Sequence, residues 1–301
     1  MALREGWTLA RMPAGACTQP GAFARAAVEW HPARVPGTVA SSLEADLDHA
    51  AAYDRDDWWY RVRFRAPEEA RRARARLRFE GLATLADVWL NGAPLASSRN
   101  MFVPLVADVD GRLREENELA IRFASLEAAA AAGKLPRARW KSALVSRQEL
   151  RGFRTTLLGR MPGWTPAIDP VGPWGEVLLE WSERVDVRSL RVLATLAEGE
   201  GRVAIEARVE GLGGRRIEAA RIAIDGRLYG LQVDGEAPQR VQGEVRVADP
   251  PLWWPHTHGE PRLAPCVLEL RVGDEWIALD AGPIGFRSLA LDREGGAVRF
   301  V

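Results

Sequence analysis

The stretch Asp57-Trp58-Trp59-Tyr60-Arg61-Val62-Arg63-Phe64-Arg65 decides the fold class. From Tyr60 onward it alternates, with Tyr60, Val62 and Phe64 on one side and Arg61, Arg63 and Arg65 on the other. Successive side chains of a strand point to opposite faces, so this is a strand with one face in a core and one in water. The same rhythm returns at Arg74 to Phe79, where Ala75, Leu77 and Phe79 alternate with Arg74, Arg76 and Arg78. It returns again at Glu118 to Phe123, through Leu119, Ile121 and Phe123. Between them Asp87-Val88-Trp89-Leu90 runs into Asn91-Gly92. That dipeptide accepts positive φ at both turn positions and predicts a tight hairpin, with the return strand from Leu95.

Outward from this core the pattern continues. The Ala-rich segment from Ser125 to Gly133 predicts a short helix, and Lys134 to Gly163, basic and poorly periodic, predicts a long surface excursion. Strand character resumes at Val177 to Trp181. A second series starts near Val185: Val187 to Leu193, Arg202 to Val209, Arg216 to Ile224, Val241 to Val247, Cys266 to Val272 and Trp276 to Leu279. Glycine-bearing turns at Gly211 to Gly214, Asp225-Gly226, Asp234-Gly235 and Gly273-Asp274 separate them. Many short strands at this spacing predict an immunoglobulin-like sandwich. No strand–helix–strand alternation appears, which disfavours a parallel α/β sheet.

The chain has 301 residues, a length that suits two domains. Lys plus Arg and Asp plus Glu are 41 each, so no net field favours nucleic acid or an anionic membrane. No apolar run approaches the ~18–20 residues of a membrane helix, and the charged N-terminus lacks a signal-peptide core. A cytoplasmic location is the expectation. The two cysteines, Cys17 and Cys266, are too few for a disulfide scaffold and are read as reduced thiols. Twelve tryptophans against three tyrosines offer flat faces for a sandwich core or for stacking on sugars, the core reading applying to most of them.

Several segments read together. Val35-Pro36-Gly37-Thr38-Val39, Asp57-Trp58-Trp59-Tyr60-Arg61, Phe79-Glu80-Gly81-Leu82, Ala86 to Gly92, Asn100-Met101-Phe102 and Glu116-Asn117-Glu118-Leu119 occur in that order. In order and spacing they resemble the N-terminal sugar-binding domain of glycoside hydrolase family 2, on its β-mannosidase side. Pro251-Leu252-Trp253-Trp254-Pro255 with Gly259-Glu260-Pro261, and Gly285-Phe286-Arg287, resemble the end of the family's second, immunoglobulin-like domain. The resemblance implies an all-β chain: a galactose-binding-like jelly-roll β-sandwich over 1–182, an immunoglobulin-like β-sandwich over 183–288, and over 289–301 the start of a link to a catalytic barrel.

Members of that family cleave glycosides with two glutamates at the strand ends of a (β/α)₈ barrel, which needs ~250 residues. Too little sequence follows Phe286 to build one. No catalytic residue is therefore assigned, and no cofactor or metal is expected. The adjacent carboxylates Asp56-Asp57 and Glu115-Glu116 are read as solvated charge. His256-x-His258 with Glu260 and Cys266 falls between Pro255, Gly259 and Pro261, so it is read as a turn and not as a zinc site.

In β-mannosidases a Trp-Asp-Trp-Gly-Pro motif of the first domain reaches the terminal mannose. The matching place here is Gly163-Trp164-Thr165-Pro166, followed by Asp169 and by Gly172-Pro173-Trp174. Trp164 keeps the first tryptophan, while Thr165 stands at the aspartate position and Pro166 at the second tryptophan. Val103 stands where many relatives carry an arginine. The resemblance thus gives Trp164, Asp169 and Trp174 as sugar-binding candidates. Asp169, held extended by Pro170, either replaces the missing carboxylate or is ordinary loop charge. The implied partners are a mannoside-like carbohydrate and a glycosidase barrel, in cis or in trans. Two other functions stay open: a stand-alone glycan-binding module, and a structural sandwich protein without ligand.

Overall fold

The structure, a computed structural model, describes residues 1–25, 28–45, 49–133, 143–145, 147–161, 163–293 and 299–300. The chain divides into two compact units, Met1–Ser182 and Glu183–Val301.

The first unit is a two-layer antiparallel sandwich. Its strands are β1 (Thr8–Met12), β2 (His31–Pro32), β3 (Asp57–Arg65), β4 (Arg74–Phe79), β5 (Ala86–Leu90), β6 (Ala93–Ser98), β7 (Leu105–Asp108), β8 (Glu116–Phe123) and β9 (Val177–Ser182). One layer has six strands in the order β2-β1-β3-β8-β5-β6 and the other has three, β7-β4-β9. The alternation seen in the sequence sets what lies between them. Tyr60, Val62 and Phe64 of β3, Leu119, Ile121 and Phe123 of β8, and Val88 and Leu90 of β5 meet Ala75, Leu77 and Phe79 of β4 and Val177 and Leu179 of β9.

The six-stranded layer is covered on its other face too. Trp59 and Trp89 lie there with ring centroids 5.1 Å apart, packed with Met12, Cys17 and Ala120. This second cover explains why Trp58, Trp59 and Tyr60 are all buried, where pure alternation would leave one of them wet.

Asn91 and Gly92 join β5 to β6, both with positive φ, 52° and 78°. Asn91 also ties the hairpin to the next strand. Its Oδ1 accepts from the Glu118 amide at 2.9 Å, and its Nδ2 donates to Asn117 Oδ1 at 3.0 Å. The Ala-rich segment forms the helix Leu126–Ala132, capped by Ser125 Oγ, which accepts from the Ala128 amide. Of the basic excursion, residues 134–142, 146 and 162 lie outside the described residues, and the short 3₁₀ turn Gln148–Gly152 falls within it.

The second unit is also an antiparallel sandwich. Its strands are β10 (Val185–Ala197), β11 (Glu200–Gly211), β12 (Ala219–Ile224), β13 (Arg227–Asp234), β14 (Gln239–Val247), β15 (Cys266–Val272) and β16 (Glu275–Asp280). They follow one continuous order, β10-β11-β14-β13-β12-β15-β16. Strand β13 serves both layers: Gln232 to Asp234 pair with β14, while Arg227 to Leu231 pair with β12. Inside are Val203, Ile205, Ala207 and Val209 of β11 against Ile222, Ile224, Cys266, Leu268 and Leu270. Phe286, fully buried, plugs one end beside Gly201, which has no side chain to obstruct it. Every ladder between these sixteen strands is antiparallel. Among the described residues no helix is long and apolar enough to cross a membrane.

Candidate functional site

The segment carrying the sugar-binding candidates runs along one end of the first unit. Gly159 and Thr165 close it into a compact loop, the Gly159 amide donating to Thr165 Oγ1 at 2.7 Å. Gly159 has φ +84°, and a Cβ there would come within 2.1 Å of the Ile168 carbonyl oxygen, so only glycine allows this closure. Backbone bonds between Ala51 and Ala167, and between Asp169 and Ala51, lay the returning chain beside the turn Tyr53–Arg55.

Trp164 stands at the tip of this loop and is 68% exposed, an unusual position for so large an apolar surface. Trp174 is 43% exposed and lies flat on Gly81: a Cβ on Gly81 would meet the indole Cε2 at 2.3 Å. Both rings therefore present a face to solvent, one free-standing and one seated on backbone.

Asp169 is placed differently. It is 9% exposed, and its Oδ2 accepts from the Asp54 amide at 3.2 Å. Its Oδ1 lies 3.7 Å from Arg160 Nε. Burial pushes its carboxyl above the usual aspartate range and the charge of Asp54 adds to this; the Asp54 amide, Arg160 and Arg147 oppose. Arg160 itself is almost wholly buried. It grips Asp54 in a fork, Nε to Oδ2 at 2.8 Å and Nη2 to Oδ1 at 2.7 Å, and spends Nη1 on the Thr156 carbonyl at 2.9 Å. Arg147 reaches Asp54 Oδ2 at 3.4 Å, and the Asp54 carbonyl accepts from Ser125 Oγ at 2.7 Å. Asp169 thus sits in a buried network, whereas Trp164 and Trp174 are exposed. Sequence reading named Asp169 but neither Asp54 nor Arg160, which no local spacing connects.

One expectation fails outright. Asp57, read as solvated charge, is 1% exposed. It accepts from Arg122 Nε at 2.8 Å and from the amides of Ser125 and Gly15 at 2.9 and 3.1 Å, so it is a buried junction of three chain segments. Its neighbour Asp56, just before β3, instead accepts from Arg11 Nε at 2.7 Å near the surface.

Beside Trp164 lies further exposed apolar surface. The Met101 amide donates to the Arg154 carbonyl, and the Thr156 amide approaches Met101 Sδ at 3.0 Å. This pairing sets exposed Phe102 and Val103 beside exposed Leu157 and Leu158. In the second unit, His256 and His258 lie in an exposed turn. Trp253 is half-buried under the Arg287 guanidinium, 4.9 Å from its ring centroid. Next to it is an apolar groove of about 380 Å³ lined by Leu252, Trp254, Phe286 and Leu289.

The sequence profile of the glycosyl hydrolase 2 galactose-binding domain-like family matches residues 22–175, half of the chain. The chain belongs to this family. Curated relatives include β-mannosidase B of Thermothelomyces thermophilus, 31% identical over 78% of this chain and 28% of that protein, and β-mannosidase B of Neosartorya fischeri, 26% identical over 86% of this chain and 33% of the other. The chain thus spans about a third or less of the length of these relatives. Among solved structures, a β-D-mannosidase of Dictyoglomus thermophilum superposes with a TM-score of 0.73 at 21% identity, covering 100% of this chain and 38% of that one. A β-glucuronidase of Bifidobacterium dentium gives 0.65 at 22%, covering 99% and 49%. At that identity the structures speak for the fold: a galactose-binding-like sandwich followed by an immunoglobulin-like one, as in family 2 glycoside hydrolases.

Proposed function

We propose that this chain is the non-catalytic, sugar-facing front region of a β-mannosidase-like exo-glycosidase of family 2, acting in carbohydrate breakdown. The observation that carries this reading is the coverage. About four fifths of the chain aligns with a third or less of each β-mannosidase relative, and the described residues form two antiparallel sandwiches with no parallel barrel to hold opposed carboxylates. In this reading the loop around Trp164 forms one wall of the sugar pocket, and the open faces of Trp164 and Trp174 meet the C–H face of the terminal sugar. Asp169 acts from behind, holding that loop in shape. The exposed apolar groups of the first unit and the groove beside Trp254 suit docking of a barrel, in cis or in trans.

The test is complementation. The chain is mixed with a separately expressed barrel from a β-mannosidase relative, and hydrolysis of p-nitrophenyl β-mannoside is followed. Activity appearing only in the mixture, and falling with Trp164→Ala, is the expected result. Hydrolysis by the chain alone would overturn the non-catalytic assignment. A second reading, a stand-alone glycan-binding module, draws on the exposure of Trp164 alone and predicts mannoside binding without any barrel.

A further inference from the structure

The outer N–H and C=O groups of an edge strand have no ladder partner, and proteins guard such edges against pairing with another chain. Most sheet edges of the two sandwiches are guarded in this way. Strands β2 and β7 have only two and four residues, and β6 contains Pro94. Strand β9 is covered by the N-terminus, through the Leu3 amide on the Val177 carbonyl and the Leu179 amide on the Met1 carbonyl. Strand β16 is short and begins and ends on carboxylates, Glu275 and Asp280.

Strand β10 has none of these devices. It is 13 residues long, and its register shifts once, between Val187 and Ser189. From Leu190 to Ala197 it has no proline and no carboxylate, and its single charge there, Arg191, is exposed. The core-facing Leu190, Val192, Ala194 and Leu196 are only half-buried, whereas Val203, Ile205 and Ala207 on the neighbouring β11 are almost inaccessible. On the outer face Leu193 is 49% exposed. The core of this layer is thus left partly open along β10.

The hairpin fixes where the free backbone groups point. Glu198 and Gly199, with φ 54° and 80°, join β10 to β11 and set Ala197 opposite Glu200. The pair flanking a two-residue turn exchanges both hydrogen bonds inside the hairpin, and bonded and non-bonded pairs alternate from there. Thr195, Leu193 and Arg191 therefore bond inward to β11. Leu190, Val192, Ala194 and Leu196 aim their N–H and C=O groups the other way, and among the described residues these make no backbone bond outside the β10–β11 ladder.

We propose that the β10 edge is a self-association surface, at which a second copy of this chain adds its own β10 antiparallel to the first. Pairing about a two-fold axis keeps core-facing residues on the core side only if the residues that meet are an even number apart. With the axis at Leu193, that exposed side chain meets its own copy. Val192 then meets the partner's Ala194, and Leu190 meets the partner's Leu196. These are the residues whose N–H and C=O groups point outward, so each such pair exchanges hydrogen bonds. Arg191 meets the partner's Thr195, so no like charges are opposed. The half-buried aliphatic side chains of the two copies cover one another, and the two layers that contain β10 become one continuous sheet.

The experiment is sedimentation equilibrium of the full chain over a range of concentrations. The expected molar mass rises from 33.2 kDa toward twice that value as concentration increases. Leu193→Lys, at an exposed position, sets two ammonium groups against each other on the axis and is expected to weaken association about tenfold. An equimolar mixture of Leu193→Lys and Leu193→Glu is expected to regain it. Leu193→Cys is expected to cross-link two copies under oxidised glutathione, because Cα atoms of a non-bonded antiparallel pair lie ~4.5 Å apart, within disulfide reach. Thr195→Cys, which meets Arg191, is expected not to. A monomer at every concentration overturns the proposal and leaves the edge to a strand of another polypeptide. A dimer indifferent to Leu193→Lys, a mixture no tighter than Leu193→Lys alone, or equal cross-linking through Thr195→Cys overturns it as well.

Discussion

Arg160 and Asp54, 106 positions apart, meet in a buried two-pronged ion pair that fastens the Trp164 loop to the turn before β3. Both side chains are almost inaccessible, so each depends on the other for its charge to be tolerated. Replacing Arg160 with Met leaves Asp54 facing only Arg147 at 3.4 Å. The expected cost is about 3–5 kcal/mol, read as a lower urea midpoint of the first unit. Arg160→Lys should recover only part of it, because an ammonium cannot make the fork. A midpoint unchanged in Arg160→Met would show that the pair adds nothing.

Asp169 gives a pH-dependent prediction. Its carboxyl titrates higher in the fold than the ~3.9 of a free aspartate, through burial first and the charge of Asp54 second. A raised value means that the folded state holds the proton more tightly than the unfolded state. The stabilising contribution is complete below pH ~4 and is lost as pH rises through the folded value. Asp169→Asn removes this dependence while keeping an oxygen for the Asp54 amide. Urea unfolding at pH 4 and pH 7 should find the variant gaining on the wild type as pH rises; the opposite trend would refute the assignment.

The seat of Trp174 is tested by Gly81→Ala. The new methyl would come within 2.3 Å of the indole, so the ring must leave its place. A cost of about 1–3 kcal/mol and a red-shifted tryptophan emission are expected. An unshifted spectrum would mean that the ring does not lie on Gly81.

At the β5–β6 hairpin, Asn91→Ala removes three side-chain bonds, to Asn117, Glu118 and the Arg112 carbonyl, and puts alanine at φ 52°. The expected loss is about 1–3 kcal/mol. Asn91→Gly keeps the backbone conformation and loses only the bonds, so it should fall between wild type and alanine. Equal losses in the two variants would mean that the backbone strain is negligible.

Much of this architecture is legible in the linear pattern. Period-two alternation marks β3, β4 and β8 because each has one face in a core, and Asn91-Gly92 marks its hairpin because few residues accept that φ. Other features follow rules with no local signal. Trp59 is buried because a distant segment, with Cys17, covers the back of its sheet. Asp57 is buried because Arg122 and two amides from elsewhere in the chain converge on it. In the second unit the alternation locates β11 well, while β10 extends past the expected segment to Val185–Ala197, since exposed positions on a long edge strand carry little hydrophobic signature. The candidate site divides the same way. Trp164 and Trp174 stand out by residue type, whereas the partners of Asp169 are fixed only by tertiary packing.

Strand β13 has a mechanical consequence for the second unit. Since one strand is stitched into both layers, the sandwich is a single ribbon folded over at β13, and its only free edges among the described residues are β10 and β16. Loosening either flank drags on the shared strand and so on the opposite layer. This half of the molecule should come apart all at once, with no half-open intermediate for a protease to find.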